Sequence, residues 1–171
     1  MSSSAKKIVL VDTNILIEAH RTGCLTALCA HHHVVSVNKC IEETQTGYGN
    51  RSPEETIPLD VLRGSLAEIN PVSDIEVAAL ELQLSSGPYL DEGEKHLLAH
   101  AIARKDFYLL CGPDKAMVRA AYKLALIERL VSLDQLATEA HIAGRQIKRL
   151  RPNFKTQWLE EERVKVRLGH I

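Results

Sequence analysis

Three carboxylates occupy positions from which they could share one site. Asp12 directly follows the apolar run Ile8-Val9-Leu10-Val11, and Asp114 follows a second run, Phe107-Tyr108-Leu109-Leu110-Cys111, after Gly112-Pro113. Glu94 opens the helical stretch before that second run. It shares a face with Leu97, Leu98, Ala101 and Ile102, at spacings of three, four, seven and eight. In open α/β sheets the carboxyl ends of the strands carry ligands, so Asp12 and Asp114 belong to one edge. A charge on a buried stripe needs a partner, and no basic residue in these motifs is an obvious one. Carboxylates gathered in this way repel one another unless they take up protons or a cation. Ligands that are all oxygen select Mg2+ or Mn2+ over Zn2+. Each acid also has a plain structural use. Asp12 and Asp114 can cap the helices that follow them, and Asp91-x-x-Glu94 has the form of a capping box with Asp in place of Ser or Thr. Taken singly the cap is the commoner use; three acids on one sheet edge favour a cation.

The elements that must position these acids follow from apolar pattern and punctuation. The continuous apolar, β-branched run Ile8–Val11, with further runs at Val34–Val37 and Phe107–Cys111, predicts strands buried on both faces, hence a parallel sheet covered by helices. Weaker strands are expected at Glu68–Val72 and Arg129–Leu133. Helices are expected over Ile15–His20, Leu25–Ala30, Lys39–Thr46 with Asn38 as cap, and Leu59–Leu66. Further helices are expected over Asp74–Leu84 capped by Ser73, Asp91–Lys105 and Asp114–Leu124, with another opened by Asp134. Gly47 to Pro58 is rich in Gly, Asn, Ser and Pro and reads as a mobile loop beside the site. The alternation predicts an α/β fold with a central parallel sheet flanked by helices. Residues 1–150 form one domain in this reading, and 151–171 a C-terminal helical extension that packs on the domain or on a second subunit.

The bulk properties narrow the field. A chain of 171 residues, 45% hydrophobic and 25% charged, suits one globular domain with a full core. A net charge of −1 gives no global basic field, so any nucleic-acid contact must rest on local patches or on a metal. No apolar run approaches the roughly 18 residues of a membrane span. The polar stretch Met1–Lys7 lacks a signal-peptide cleavage pattern. Cys24, Cys29, Cys40 and Cys111 form no Cys-x-x-Cys pair, which suits reduced thiols and a cytoplasmic protein without membrane contact. Cys29 with His31-His32-His33 matches no zinc spacing. Asp12-x-Asn14 lacks the second aspartate that a haloacid-dehalogenase phosphatase needs for proton transfer. No glycine-rich phosphate loop is present. The basic cluster Lys148, Arg149, Arg151 and Lys155 is ordinarily a solvated face, with RNA guidance as the alternative.

Several segments resemble one family. Val9-Leu10-Val11-Asp12-Thr13-Asn14-Ile15-Leu16 is similar to the opening of PIN domains, where the first catalytic aspartate precedes Thr or Ser and Asn. Gly93-Glu94-Lys95-His96-Leu97-Leu98-Ala99-His100-Ala101 resembles the central helix of the branch whose third acid lies in a Gly-Glu pair. Gly112-Pro113-Asp114 is similar to the segment bearing the fourth acid, and Arg119-Ala120-Ala121 resembles the same branch. The resemblance spans roughly residues 8–140. Its departures are Glu rather than Asp as third acid, Gly112 in place of a hydroxyl residue, and Ala116 where some members carry a further acid.

The resemblance implies a metal-dependent ribonuclease that leaves 5′-phosphate and 3′-hydroxyl ends. Asp12, Glu94 and Asp114 would hold Mg2+ or Mn2+, and an acid after the second strand would complete the site. Ser36 and Glu42 have the spacing of VapC-like toxins, so Glu42 is preferred, with Glu43, four residues before Gly47, as the other register. Thr13 and Asn14 would orient Asp12, and Arg119 would meet the RNA backbone, whereas Lys115 reads as a solvated helix residue. The family further implies RNA as substrate, a homodimer, and an antitoxin partner where such a protein is a toxin. A catalytically inactive PIN-like module that binds RNA or protein is the alternative, and a phosphatase a weaker third.

Overall fold

The computed structural model describes residues 4–85 and 87–170. Strand β1 (Ile8–Val11) leads through helices α1 (Thr13–Arg21) and α2 (Leu25–His31) to β2 (His33–Val37). Helices α3 (Asn38–Thr44) and α4 (Leu59–Ser65) precede β3 (Glu68–Asn70). Then α5 (Asp74–Leu84) and α6 (Glu92–Ala103) cross back to β4 (Leu109–Cys111), which is followed by α7 (Lys115–Lys123). The chain ends with α8 (Leu133–Glu139), α9 (Gly144–Lys148) and α10 (Thr156–Arg167). The fold is α/β, with a four-stranded sheet of order β3-β2-β1-β4 whose paired strands all run parallel.

Period-two alternation divides the core. Val9 and Val11 face one layer with Ile15, Leu16, Leu25, Leu28, Leu133 and Leu136. Leu10 and Val35 face the other, with Leu80, Leu97, Leu98 and Met117. Both faces of β1 are therefore sealed, which the uninterrupted run Ile-Val-Leu-Val anticipates.

Four features differ from expectation. Arg129–Leu133 does not add a fifth strand: a single parallel bridge, Leu110 to Leu130, is followed at Ser132 by the cap of α8. β4 is shorter than its apolar run, because Phe107 is 70% exposed and lies under the Arg129 guanidinium instead of in the sheet. Asn38 lies inside α3, and Val37 occupies the cap position with no side-chain bond. The loop after α3 carries two 3-10 turns, Tyr48–Asn50 and Pro53–Glu55. It is tied down where Arg51 donates to the carbonyls of Thr44 and Glu43, at 2.8 and 2.9 Å.

Of the two placements expected for the C-terminal extension, residues 151–170 take the first and pack on the domain itself. Phe154 joins the first core layer, and Leu159 and Val166 of α10 join the second. Arg151 pairs with the buried Glu18 at 3.5 Å and with Glu55 at 2.6 Å, so part of the basic cluster is engaged in structure. Leu159→Ala should therefore cost about 2–5 kcal/mol, as a core truncation does. Urea denaturation checks this, and a loss under about 0.5 kcal/mol would mean that α10 is a dispensable appendage.

Candidate active site

The sheet order creates a reversal. From β1 the chain steps outward to β2 and β3, then returns to lay β4 on the other side of β1. The crevice outside the carboxyl ends of β1 and β4 is thus the topological switch point, where open α/β sheets bind ligands. Asp12 directly follows β1, and Asp114 lies three residues beyond β4. Val11 pairs with Cys111, and the Asp12 N–H donates to the Cys111 carbonyl at 3.4 Å. Gly112 keeps this junction tight. A Cβ there would come within 3.1 Å of Met117 Cγ and 3.7 Å of Asp12 Oδ2, so a hydroxyl residue would have to displace Met117.

The capping use of each acid is realised, and it accounts for one oxygen of each. Asp12 Oδ1 accepts from Ile15 N–H at 2.9 Å and caps α1. Asp114 Oδ1 accepts from Ala116 N–H at 2.7 Å and caps α7. Glu94 Oε2 accepts from Asp91 N–H at 3.1 Å, while Asp91 Oδ1 accepts from Glu94 N–H at 2.8 Å, closing the box at the start of α6. Asp12 Oδ2, Glu94 Oε1 and Asp114 Oδ2 have no protein hydrogen-bond partner among the described residues. The caps fix three carboxyl groups in orientation and leave each with an oxygen to offer.

Glu43, not Glu42, joins this cluster. One residue along a helix rotates a side chain by about 100°. Glu42 therefore projects outward, 63% exposed, where it pairs with Lys39 at 3.3 Å. Glu43 lies three residues after the buried Cys40, on the edge of α3 that faces α6. Its Oε1 accepts from Gly93 N–H at 2.9 Å, and its Oε2 accepts from the Thr13 hydroxyl at 2.7 Å. A Cβ at residue 93 would overlap Oε2 and lie 2.9 Å from Cδ, which is why a glycine precedes Glu94. The signal that separates the two glutamates is helical phase relative to Cys40, which spacing from the strand does not carry.

The supporting residues divide. Thr13 orients Glu43 and makes no bond to Asp12. Asn14 is exposed on the first turn of α1, and the Asp12 bond that orients its carboxyl comes from Ile15. Arg119 lies farther along α7, half-buried, in the wall of a cavity rather than on the carboxylates. Lys115 is exposed beside Asp114.

The acids are coupled electrostatically by mutual repulsion. Burial pushes Asp12 up to about 7; the Ile15 N–H opposes the shift, and Asp91, Asp114 and Glu43 reinforce it. Burial likewise pushes Glu94 up to about 8, reinforced chiefly by Asp91. The charges acting most strongly on both are all carboxylates. Asp91, whose sequence role is a cap, is thus a fifth acid in the field. Among the described residues no three His, Cys, Asp or Glu side chains are arranged to hold one metal ion as they stand. The donor set suits a hard divalent cation in its chemistry, being oxygen-only and uncompensated. Its spacing requires the free oxygens of Asp12, Glu94 and Asp114 to draw inward.

No protein-family model matches the chain, and no curated protein sequence matches it. Among the described residues no helix is long and apolar enough to cross a membrane. All four cysteines are free thiols.

Asp12 and Glu94 bind protons more tightly folded than unfolded, where they titrate near 3.8 and 4.5. The folded chain therefore holds extra protons between about pH 4 and pH 8, and its stability falls as pH rises through that window. Without divalent cations, Asp12→Asn should melt about 3 °C or more above wild type at pH 8 and show no such gain at pH 4, by calorimetry. Gly93→Ala would ordinarily favour a helix by about 0.5–1 kcal/mol. Here it should destabilise by about 1–3 kcal/mol, because the methyl expels Glu43 from its two donors. A gain in urea midpoint would contradict that contact.

Proposed function

We propose that this protein is a metal-dependent ribonuclease of the PIN kind, acting through the acids at the switch point. The observation that carries the reading is a pair of buried carboxylates, Asp12 and Glu94, with no cationic partner and an unengaged oxygen each. Buried charges of one sign call for a counter-ion, and the crevice between β1 and β4 is where a ligand would supply one. The order of Asp12, a glutamate after β2, Glu94 and Asp114 along the chain supports the same reading through its resemblance to PIN domains.

Asp12, Glu94 and Asp114 would hold the ion. A bound Mg2+ or Mn2+ supplies charge neutralisation for a phosphodiester and lowers the pKa of water beside it. The chain's own contribution is positional. The N-caps of α1 and α7 aim Asp12 and Asp114 from opposite sides of the crevice. Glu43 clamps the start of α6 to Thr13 and so fixes where Glu94 stands. The raised pKa values of Asp12 and Glu94 make proton release part of cation uptake, so affinity should rise with pH up to about 8.

The inactive-module reading is favoured by one observation: the acids do not converge on one ion as they stand. Cleavage of a mixed panel of structured and unstructured RNAs with Mg2+, Mn2+ or EDTA decides between the two. Metal-dependent cleavage should fall about 100-fold or more in Asp12→Asn and Asp114→Asn. Each metal should also raise the melting temperature of wild type, and less so that of the variants. No cleavage on any RNA together with no stabilisation by either metal would establish the binding module instead. A cytoplasmic location, a homodimer and a small antitoxin complete the proposal, resting on the free thiols and the family resemblance.

A further inference from the structure

We propose that a cavity between α7, the end of α10 and the turn at Gly87-Pro88 binds a nucleoside phosphate. The cavity measures about 510 Å3, within the range of roughly 300–1,000 Å3 typical of small-ligand sites. Arg119, Tyr122 and Lys123 stand three and four residues apart on α7 and so line one face. Pro88 and Val166 add apolar surface to the lining, and Arg167 a further cation.

The charges are arranged unequally. Arg167 is held in an ion pair by Glu128. Arg119 and Lys123 make no ion pair and no side-chain hydrogen bond among the described residues. Two uncommitted cations therefore flank Tyr122, which is 46% exposed. An inorganic anion would satisfy the cations and leave Tyr122 and Val166 unused. An apolar ligand would leave the cations unused. A phosphate joined to a flat base satisfies both, through charge-assisted bonds to Arg119 and Lys123 and stacking on Tyr122.

The cavity and the acids share a helix: α7 lines the one and is capped by Asp114 of the other. At about 1.5 Å per residue, Arg119 lies about 7.5 Å along α7 from Asp114. Gly87-Pro88 leads within a few residues to Asp91 and Glu94. On the ribonuclease reading, which this extension rests on, the nucleotide held here is a neighbour of the one cut. The site then sets which side of the scissile bond must be single-stranded, since only an unpaired base can stack on Tyr122.

Equilibrium binding in EDTA tests the cavity without any chemistry, using a labelled eight-nucleotide single-stranded RNA, a 5′-mononucleotide and inorganic phosphate. Wild type should bind the first two. Lys123→Glu should weaken them about tenfold and make RNA binding less salt-dependent. Tyr122→Ala should weaken them about fivefold or more and leave the salt dependence unchanged. Both positions are on the surface, and unchanged melting temperatures would show that the variants are folded. Losses for RNA and mononucleotide alike place an RNA chain in the cavity, and losses for the mononucleotide alone place a free nucleotide there; either supports the site. No binding, unaltered binding in both variants, or inorganic phosphate competing as well as the mononucleotide would overturn it. Because the measurement needs neither metal nor cleavage, a failed ribonuclease assay leaves its result standing.

Discussion

A carboxylate at the tip of the central strand, shut away from water and given no cation by the protein, is the constraint from which the rest of the site follows. Asp12 is 2% exposed, and burial is the chief reason its pKa rises. A side chain in that position persists only if the fold orients it with a hydrogen bond and leaves it a way to shed or share its charge. The cap on Ile15 does the first. The crevice between β1 and β4 does the second, because the reversal of strand order leaves no crossover helix to cover it.

The two uses of each acid are complementary rather than rival. A carboxylate has two oxygens, and a helix N-terminus engages one of them. Asp12, Asp114 and the Asp91–Glu94 pair all spend one oxygen on a helix start. Three helices, α1, α6 and α7, therefore begin around one crevice, and their dipoles add positive potential where the carboxylates gather. That partial charge helps to make the cluster tolerable without a bound ion. Glu43 is the exception that shows the rule. Both its oxygens are engaged, by Gly93 and Thr13, and its place in the architecture is that of a strut.

Much of this was legible in the sequence because burial on both faces leaves an unmistakable pattern. Ile8–Val11 and Val34–Val37 are strands within a residue, and the cap at Ser73 and the capping box at Asp91 form as their spacing requires. The misreadings share a cause. Arg129–Leu133 and Phe107 are apolar enough for a strand, but whether a run joins a sheet depends on neighbours distant in sequence. Here Ser132 and Asp134 turn the chain into α8 before pairing can extend, and Arg129 takes up Phe107 and Tyr108. Spacing favours Glu42 over Glu43 because it counts residues along the chain, whereas a helix sorts them by angle. The anchoring of α10 could not be read locally, since Leu159 and Val166 find their partners on α7 and on the sheet layer behind it. The sequence shows three of the acids as positions; the Glu43 clamp depends on which helix faces meet.

The strand order also has a consequence for synthesis. β1 is made about a hundred residues before β4, its partner on one side. At roughly 5–20 residues per second, Asp12 waits on the order of ten seconds for Asp114 to leave the ribosome. Until then the edge of β1 that will receive β4 has no partner, and the burial that raises the Asp12 pKa is incomplete. The nascent chain thus carries the first acid throughout elongation without the enclosed crevice, and the site comes into being only when the last strand closes the sheet.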